Sequence, residues 1–177
     1  MAVGLPKDVR RMLEPGERVV WFGKPLRAPF LLKSLSTVIM AIPVLVMPLP
    51  FLMAAPQVLT HAPVVAFFAL WYGFAAFIGL GPLIYNALVW KNLYYVVTDR
   101  RIIIRKGVVG IDYDALSLDL VQQVNVDVGF WDQRYGTGTL TIRAVGVTPL
   151  FFYCVPNPLE VYKLVKQAVD RAKDKLS

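Results

Sequence analysis

The densest carboxylate group in this sequence is Asp112, Asp114 and Asp119, a spacing from which an acid and base pair could be drawn. Residues at the entrance of a strand would instead stand in water, and nothing completes a catalytic set. There is one His, His61, and one Cys, Cys154. One of each cannot make the usual zinc site, nor a nucleophile with its base and orienting group. His61 falls among turn residues and reads as a solvated loop side chain. Cys154 alternates into an apolar run and reads as a small core residue. Neither a P-loop nor a dinucleotide-binding glycine motif occurs, and Gly136-Thr137-Gly138 fits turn geometry better than a phosphate cradle. A lone Cys excludes an intrachain disulfide. The expectation is a chain that is not an enzyme, with no catalytic residues, metal or cofactor.

Binding chemistry is better represented. Arg100, Arg101, Arg105 and Lys106 gather four cations near one hairpin end, and anionic lipid attracts such cations by about 1 kcal/mol each close to a membrane surface. They are the candidate lipid-contacting residues. The same charges would also keep a strand edge soluble and unpaired, and the sequence leaves both roles open. Just upstream, Trp90, Lys91, Tyr94 and Tyr95 form an aromatic and basic belt suited to anchoring at a membrane interface.

The elements that must position these residues follow from a second feature. Between Lys33 and Lys91 there is no Asp, Glu, Lys or Arg, a charge-free run of 57 residues from Ser34 to Trp90. A bilayer core takes roughly 20 apolar residues as a helix, so the run holds two passes and a turn. The turn is Ala55 to Pro63, with Gln57, His61 and two prolines. The first span, about Leu35 to Met53, contains Pro43, Pro48 and Pro50, which should kink or end it. The second, about Val64 to Trp90, carries Ala69 with Gly73 and Ala75 with Gly79, small residues expected to pack the helix on its hairpin partner. Asn86 is expected to bond across to that partner.

Charge orients the hairpin. The flanks, residues 1–33 and 91–177, carry net charges of +4 and +3, while the turn has no Lys or Arg. By the positive-inside rule both termini are cytoplasmic, in a two-span, multi-pass protein of the cell membrane. The basic excess is thereby explained without a nucleic-acid partner. A secretory signal peptide fits poorly, because more than thirty residues precede the apolar region. Three regions are expected: a cytoplasmic segment 1–33, a transmembrane hairpin 34–91 and a cytoplasmic domain 92–177.

After Lys91 the composition turns to alternation. Leu93–Val97 and Ile102–Ile104 flank Thr98-Asp99-Arg100-Arg101 as a β-hairpin. Strands are expected around Asp112 to Leu118, Val121 to Val128, Thr139 to Val145 and Leu150 to Val155, with Gly129 to Gly136 as a turn. Asn157 as N-cap, Pro158 and Glu160 announce a last helix with a capping box. Val161, Leu164, Val165, Ala168, Val169 and Ala172 share one face, and Arg171, Lys173 and Lys175 suit its C-terminal dipole. Strands closed by one amphipathic helix would curl into a small antiparallel barrel or sandwich, which hides the sheet edges. The fold class is an α+β membrane protein.

Several segments resemble the bacterial pleckstrin-homology-like domain family of membrane proteins. They are Gly16–Pro25 before the spans, Tyr95–Gly107 at the opening hairpin, and the later Tyr135–Leu140 and Pro156-Asn157-Pro158. The resemblance implies a pleckstrin-homology-like barrel behind a two-span hairpin, and no catalytic residues. Whether Arg18 to Phe22 joins the barrel or forms an interfacial ribbon stays open. The function expected is a membrane-anchored interaction or scaffold module at the cytoplasmic face, with a protein partner or a homo-oligomer. The alternative is an anionic headgroup binder using the basic hairpin.

Overall fold

The computed structural model describes residues 5–174, so Lys175 lies outside the described residues. The chain divides into two compact units, one formed by residues up to Phe30 together with those from Val89 onward, the other by Leu31–Leu88.

In the first unit, helix α1 (Lys7–Met12) precedes strand β1 (Val19–Gly23). After the second unit come β2 (Tyr94–Thr98), β3 (Arg101–Lys106) and β4 (Asp112–Ser117), and the four strands form one antiparallel sheet in the order β1-β2-β3-β4. The open question about Arg18 to Phe22 is thereby answered. Phe22 lies opposite Val96 and Gly23 opposite Tyr95, so a strand from before the apolar run completes the sheet. Thr98 builds the β2–β3 turn by accepting from the Arg100 and Arg101 amides, and Asp99 accepts from the Arg18 amide beside β1.

A second sheet contains β5 (Val121–Asp127), β6 (Thr137–Ala144) and β7 (Leu150–Pro156) in that order. Tyr95, Ile102 and Ile104 from one sheet meet Leu140, Ile142 and Phe152 from the other in a single core. The last helix, which we number α7 (Pro158–Asp174), closes this core with Val161, Val165, Ala168 and Val169. Tyr95 stacks on Phe152 with ring centroids 4.5 Å apart, and Trp21 of β1 also stacks on Phe152, at 6.0 Å.

Two local expectations change. Gly129 to Gly136 holds a helix, α6 (Phe130–Tyr135), and not merely a turn. The buried Asp132 carboxylate accepts from the Gly129 amide and from the Thr137 hydroxyl, which closes the first turn, and Gly136 ends the helix at φ +63°. At the start of α7, Asn157 takes a left-handed conformation, φ +49°, and its side-chain amide donates to Glu160. Glycine is required at position 138, where a Cβ would stand 2.7 Å from the Pro158 ring. That absence lets the last helix begin against β6.

The remaining helices are α2 (Arg27–Leu32), α3 (Leu35–Val46), α4 (Leu49–Ala54) and α5 (Ala62–Asn92). Two stretches, Arg27–Ala54 and Ala62–Asn92, are long and apolar enough to cross a membrane. The first is broken at Met47-Pro48, where proline withholds a donor, while Pro43 stays inside α3. Within the second unit the Trp71 indole donates to the Val44 carbonyl at 2.9 Å, and Asn86 donates to the Ser34 hydroxyl at 2.6 Å. Ala75 and Gly79 are buried, Gly79 against Ala41, whereas Gly73 faces open space.

Candidate functional site

All four hairpin cations have carboxylate partners. Arg101 presents a fork to Glu17, with Nε at 3.0 Å and Nη2 at 2.8 Å, and Nη2 also reaches the Met12 carbonyl. Arg100 bonds Glu14 at 2.9 Å. Arg105 Nε donates to Asp8 at 2.6 Å, and the Tyr113 hydroxyl donates to the same oxygen. Lys106 pairs with Asp114 on the neighbouring strand. Three of the four therefore hold the N-terminal segment against the sheet. The segment brings its own apolar side: Leu5, Val9 and Leu13 recur every four residues and pack on Val96 and Ile103. Sequence reading missed α1 because six residues give little periodicity, although that spacing was present.

Electrostatics follows this geometry. The Tyr113 hydroxyl and then Arg105 hold the Asp8 carboxyl down at about 2, against an ordinary 3.8. Burial pushes Glu17 up, but the bonds from Arg101 and the backbone prevail and leave it lowered. A carboxylate lowered on folding contributes stability that is complete above its unfolded value and lost as pH falls through its folded one. For Asp8 that window runs from 3.8 down to about 2. Hydrogen exchange should show α1 losing protection across this window, before the β2 and β3 amides. Asp8→Asn should lower α1 protection already at neutral pH; unchanged protection in that variant would refute the clamp.

The expected interface belt divides. Trp90 and Lys91 end α5, and Tyr94 begins β2. Tyr95 takes no part in any outer surface: it is fully buried, its hydroxyl accepts from the Tyr153 amide at 2.9 Å, and burial pushes its pKa up. Alternation explains the correction, since adjacent strand residues point to opposite faces. Around Trp90 the structure adds two residues that sequence reading did not single out. The Lys24 ammonium stands 4.0 Å from the indole ring centre and the Arg27 guanidinium 5.6 Å, while the indole donates to the Pro25 carbonyl. Basic residues at the start of one apolar stretch and a Trp at the end of the other were the available signal.

A further surface lies where α6 meets the start of α7. Val128, Gln133, Pro158 and Leu159 line an open groove of about 580 Å³, with Asp132 at its base, and a second of about 470 Å³ adjoins it at Phe130, Trp131 and Arg134. Phe130 is 78% exposed and Leu159 65%. Asp114 is engaged by Lys106, Asp119 lies on the turn beyond β4, His61 borders the apolar turn, and Cys154 is buried at φ +51° in β7.

Comparison with known proteins matches residues 28–169 to the family described as "Bacterial PH domain". No curated protein matches. Among solved structures, 44% of this chain aligns with 70% of a DUF1696 family protein with a pleckstrin-homology domain from Shewanella loihica PV-4. Identity is 17% and the TM-score 0.37, too low a likeness to carry an argument.

Proposed function

This chain belongs to the bacterial PH domain family, and on that premise we propose that it is a non-enzymatic, membrane-anchored interaction module that binds a protein partner or further copies of itself. Three features support anchoring. The two long apolar stretches turn their apolar side chains outward: Leu70 is 76% exposed and Phe77 73%, which suits hydrocarbon and not water. Strands β1 and β2 flank the apolar run and pair with each other, so both ends of the run return to the same side. Basic flanks and an uncharged turn argue that this side is the cytoplasm.

The observation that carries the interaction reading is the exposed apolar surface of α6 and the start of α7, held on a rigid frame by Asp132 and the Gly138–Pro158 approach. Exposed large apolar groups clustered on ordered backbone are features of protein interfaces. The hairpin cations, by contrast, direct their donors to the chain's own carboxylates, which weighs against headgroup recognition by Arg100, Arg101, Arg105 and Lys106.

A photoactivatable residue at Leu159 in the full chain, irradiated in native membranes, should yield a discrete cross-linked species. Phe130→Asp should abolish it. A chain that gives no cross-link and is strictly monomeric after gentle extraction would overturn this reading.

A further inference from the structure

Lys24, Arg27 and Lys91 differ from the hairpin cations in their surroundings. Among the described residues, none of the three makes an ion pair with a carboxylate. They are nonetheless close together. Lys24 and Arg27 both lie over the Trp90 ring, and the Lys24 ammonium donates to the Lys91 backbone carbonyl at 3.1 Å. Tyr94 extends the aromatic floor, 4.9 Å from Lys24 and 5.6 Å from the Arg105 guanidinium. Partial burial, followed by the nearby Arg105 charge, lowers the Lys24 pKa, the direction expected where positive charge is crowded without an anion.

We propose that Lys24, Arg27 and Lys91, arranged around Trp90 and Tyr94, bind the phosphate of an anionic phospholipid headgroup. The inference rests on the membrane reading above. Four observations favour a lipid phosphate. Among the described residues the three cations have no carboxylate in an ion pair, and two of them lie over an aromatic ring. Trp and Tyr are the side chains that settle at headgroup depth. Lys24 comes just before the first apolar stretch in sequence and Arg27 begins it, and Lys91 sits at the end of the second. A headgroup there would supply the missing negative charge, and three cations near a surface amount to a preference of more than an order of magnitude.

The test uses the full chain in phosphatidylcholine vesicles with and without phosphatidylglycerol, reading by native mass spectrometry which lipid stays bound after gentle extraction. Wild type should retain phosphatidylglycerol over phosphatidylcholine by at least about tenfold. Lys24→Gln with Arg27→Gln and Lys91→Gln should remove the preference, and the exposed pair Arg27→Gln and Lys91→Gln alone should weaken it severalfold should the triple variant fold poorly. Neutralising Arg143, Lys163 and Lys166, equal in charge but elsewhere, should leave it intact. Inorganic phosphate at matched ionic strength should not displace the lipid; displacement would reassign the site to a free anion and overturn the lipid proposal. An embedded chain whose preference survives the substitutions, or falls equally in the control, defeats this proposal alone. A chain that does not stay with the vesicles defeats the membrane reading as well.

Discussion

Val165→Asp will unfold the two-sheet unit or leave it barely stable. Val165 is fully buried on the inner face of α7, in the same cluster as Leu140, Ile142 and Phe152. An aspartate there has no partner, so its charge must be desolvated unpaired or its pKa driven far upward. Either route destabilises by about 3 kcal/mol or more, a large part of the stability of a small domain. Denaturation of the full chain in mild detergent, followed by near-ultraviolet circular dichroism, should show the midpoint collapse. Lys166→Asp, one position along on the exposed face, should change it little. Equal midpoints for Val165→Asp and wild type would mean that α7 does not close the core.

Tyr95→Ala will be nearly as damaging, and it separates the two roles that Tyr95 could hold. As an interfacial anchor its loss would barely touch folding. As the ring stacked on Phe152 it leaves a large cavity between the sheets, and aromatic-to-alanine changes in cores destabilise by about 3–5 kcal/mol. Tyr95→Phe keeps the ring and removes the hydroxyl that accepts from the Tyr153 amide and donates to the Tyr153 carbonyl, a loss of roughly 1 kcal/mol or somewhat more. The ordering wild type, Phe, Ala in unfolding midpoints is the expected result. A Tyr95→Ala variant within about 1 kcal/mol of wild type would return the residue to the surface.

The second half of the fold was legible because its signals are local. Thr98-Asp99-Arg100-Arg101 marks a hairpin whose turn is built by the Thr98 hydroxyl, and Asn157-Pro158 marks the start of α7 within a residue. The carboxylate clamp was not legible. Arg105 meets Asp8, and Arg101 meets Glu17, across sequence separations of 97 and 84 residues, and charge type alone does not say which acid a cation will find. The same distance hid the membership of β1, whose alternation is too short to distinguish an interfacial ribbon from a sheet edge. Helix α6 was missed for a different reason: its start depends on the buried Asp132 carboxylate, a tertiary feature that the apolar pair Phe130-Trp131 does not announce. For the cations around Trp90, sequence supplied the belt at one end of the apolar run, and folding supplied its counterpart from the other.

The pairing of β1 with β2 has a consequence for the order of events during synthesis. Residues 24–93 separate the two strands, so at about 5–20 residues per second β1 waits roughly 4 to 14 s for its neighbour. Throughout that interval β1 cannot acquire its native edge, and the Trp21 ring has no Phe152 to stack upon. In a chain anchored as proposed, the partner arrives only after the second apolar stretch has brought the polypeptide back to its starting side. A molecule whose second stretch fails to return leaves β1 and β2 on opposite sides of the bilayer and a sheet with an exposed edge. In a chain so anchored, the completed sheet would require both ends of the apolar run to lie on one side, and a chain inserted otherwise would lack the β1–β2 pairing.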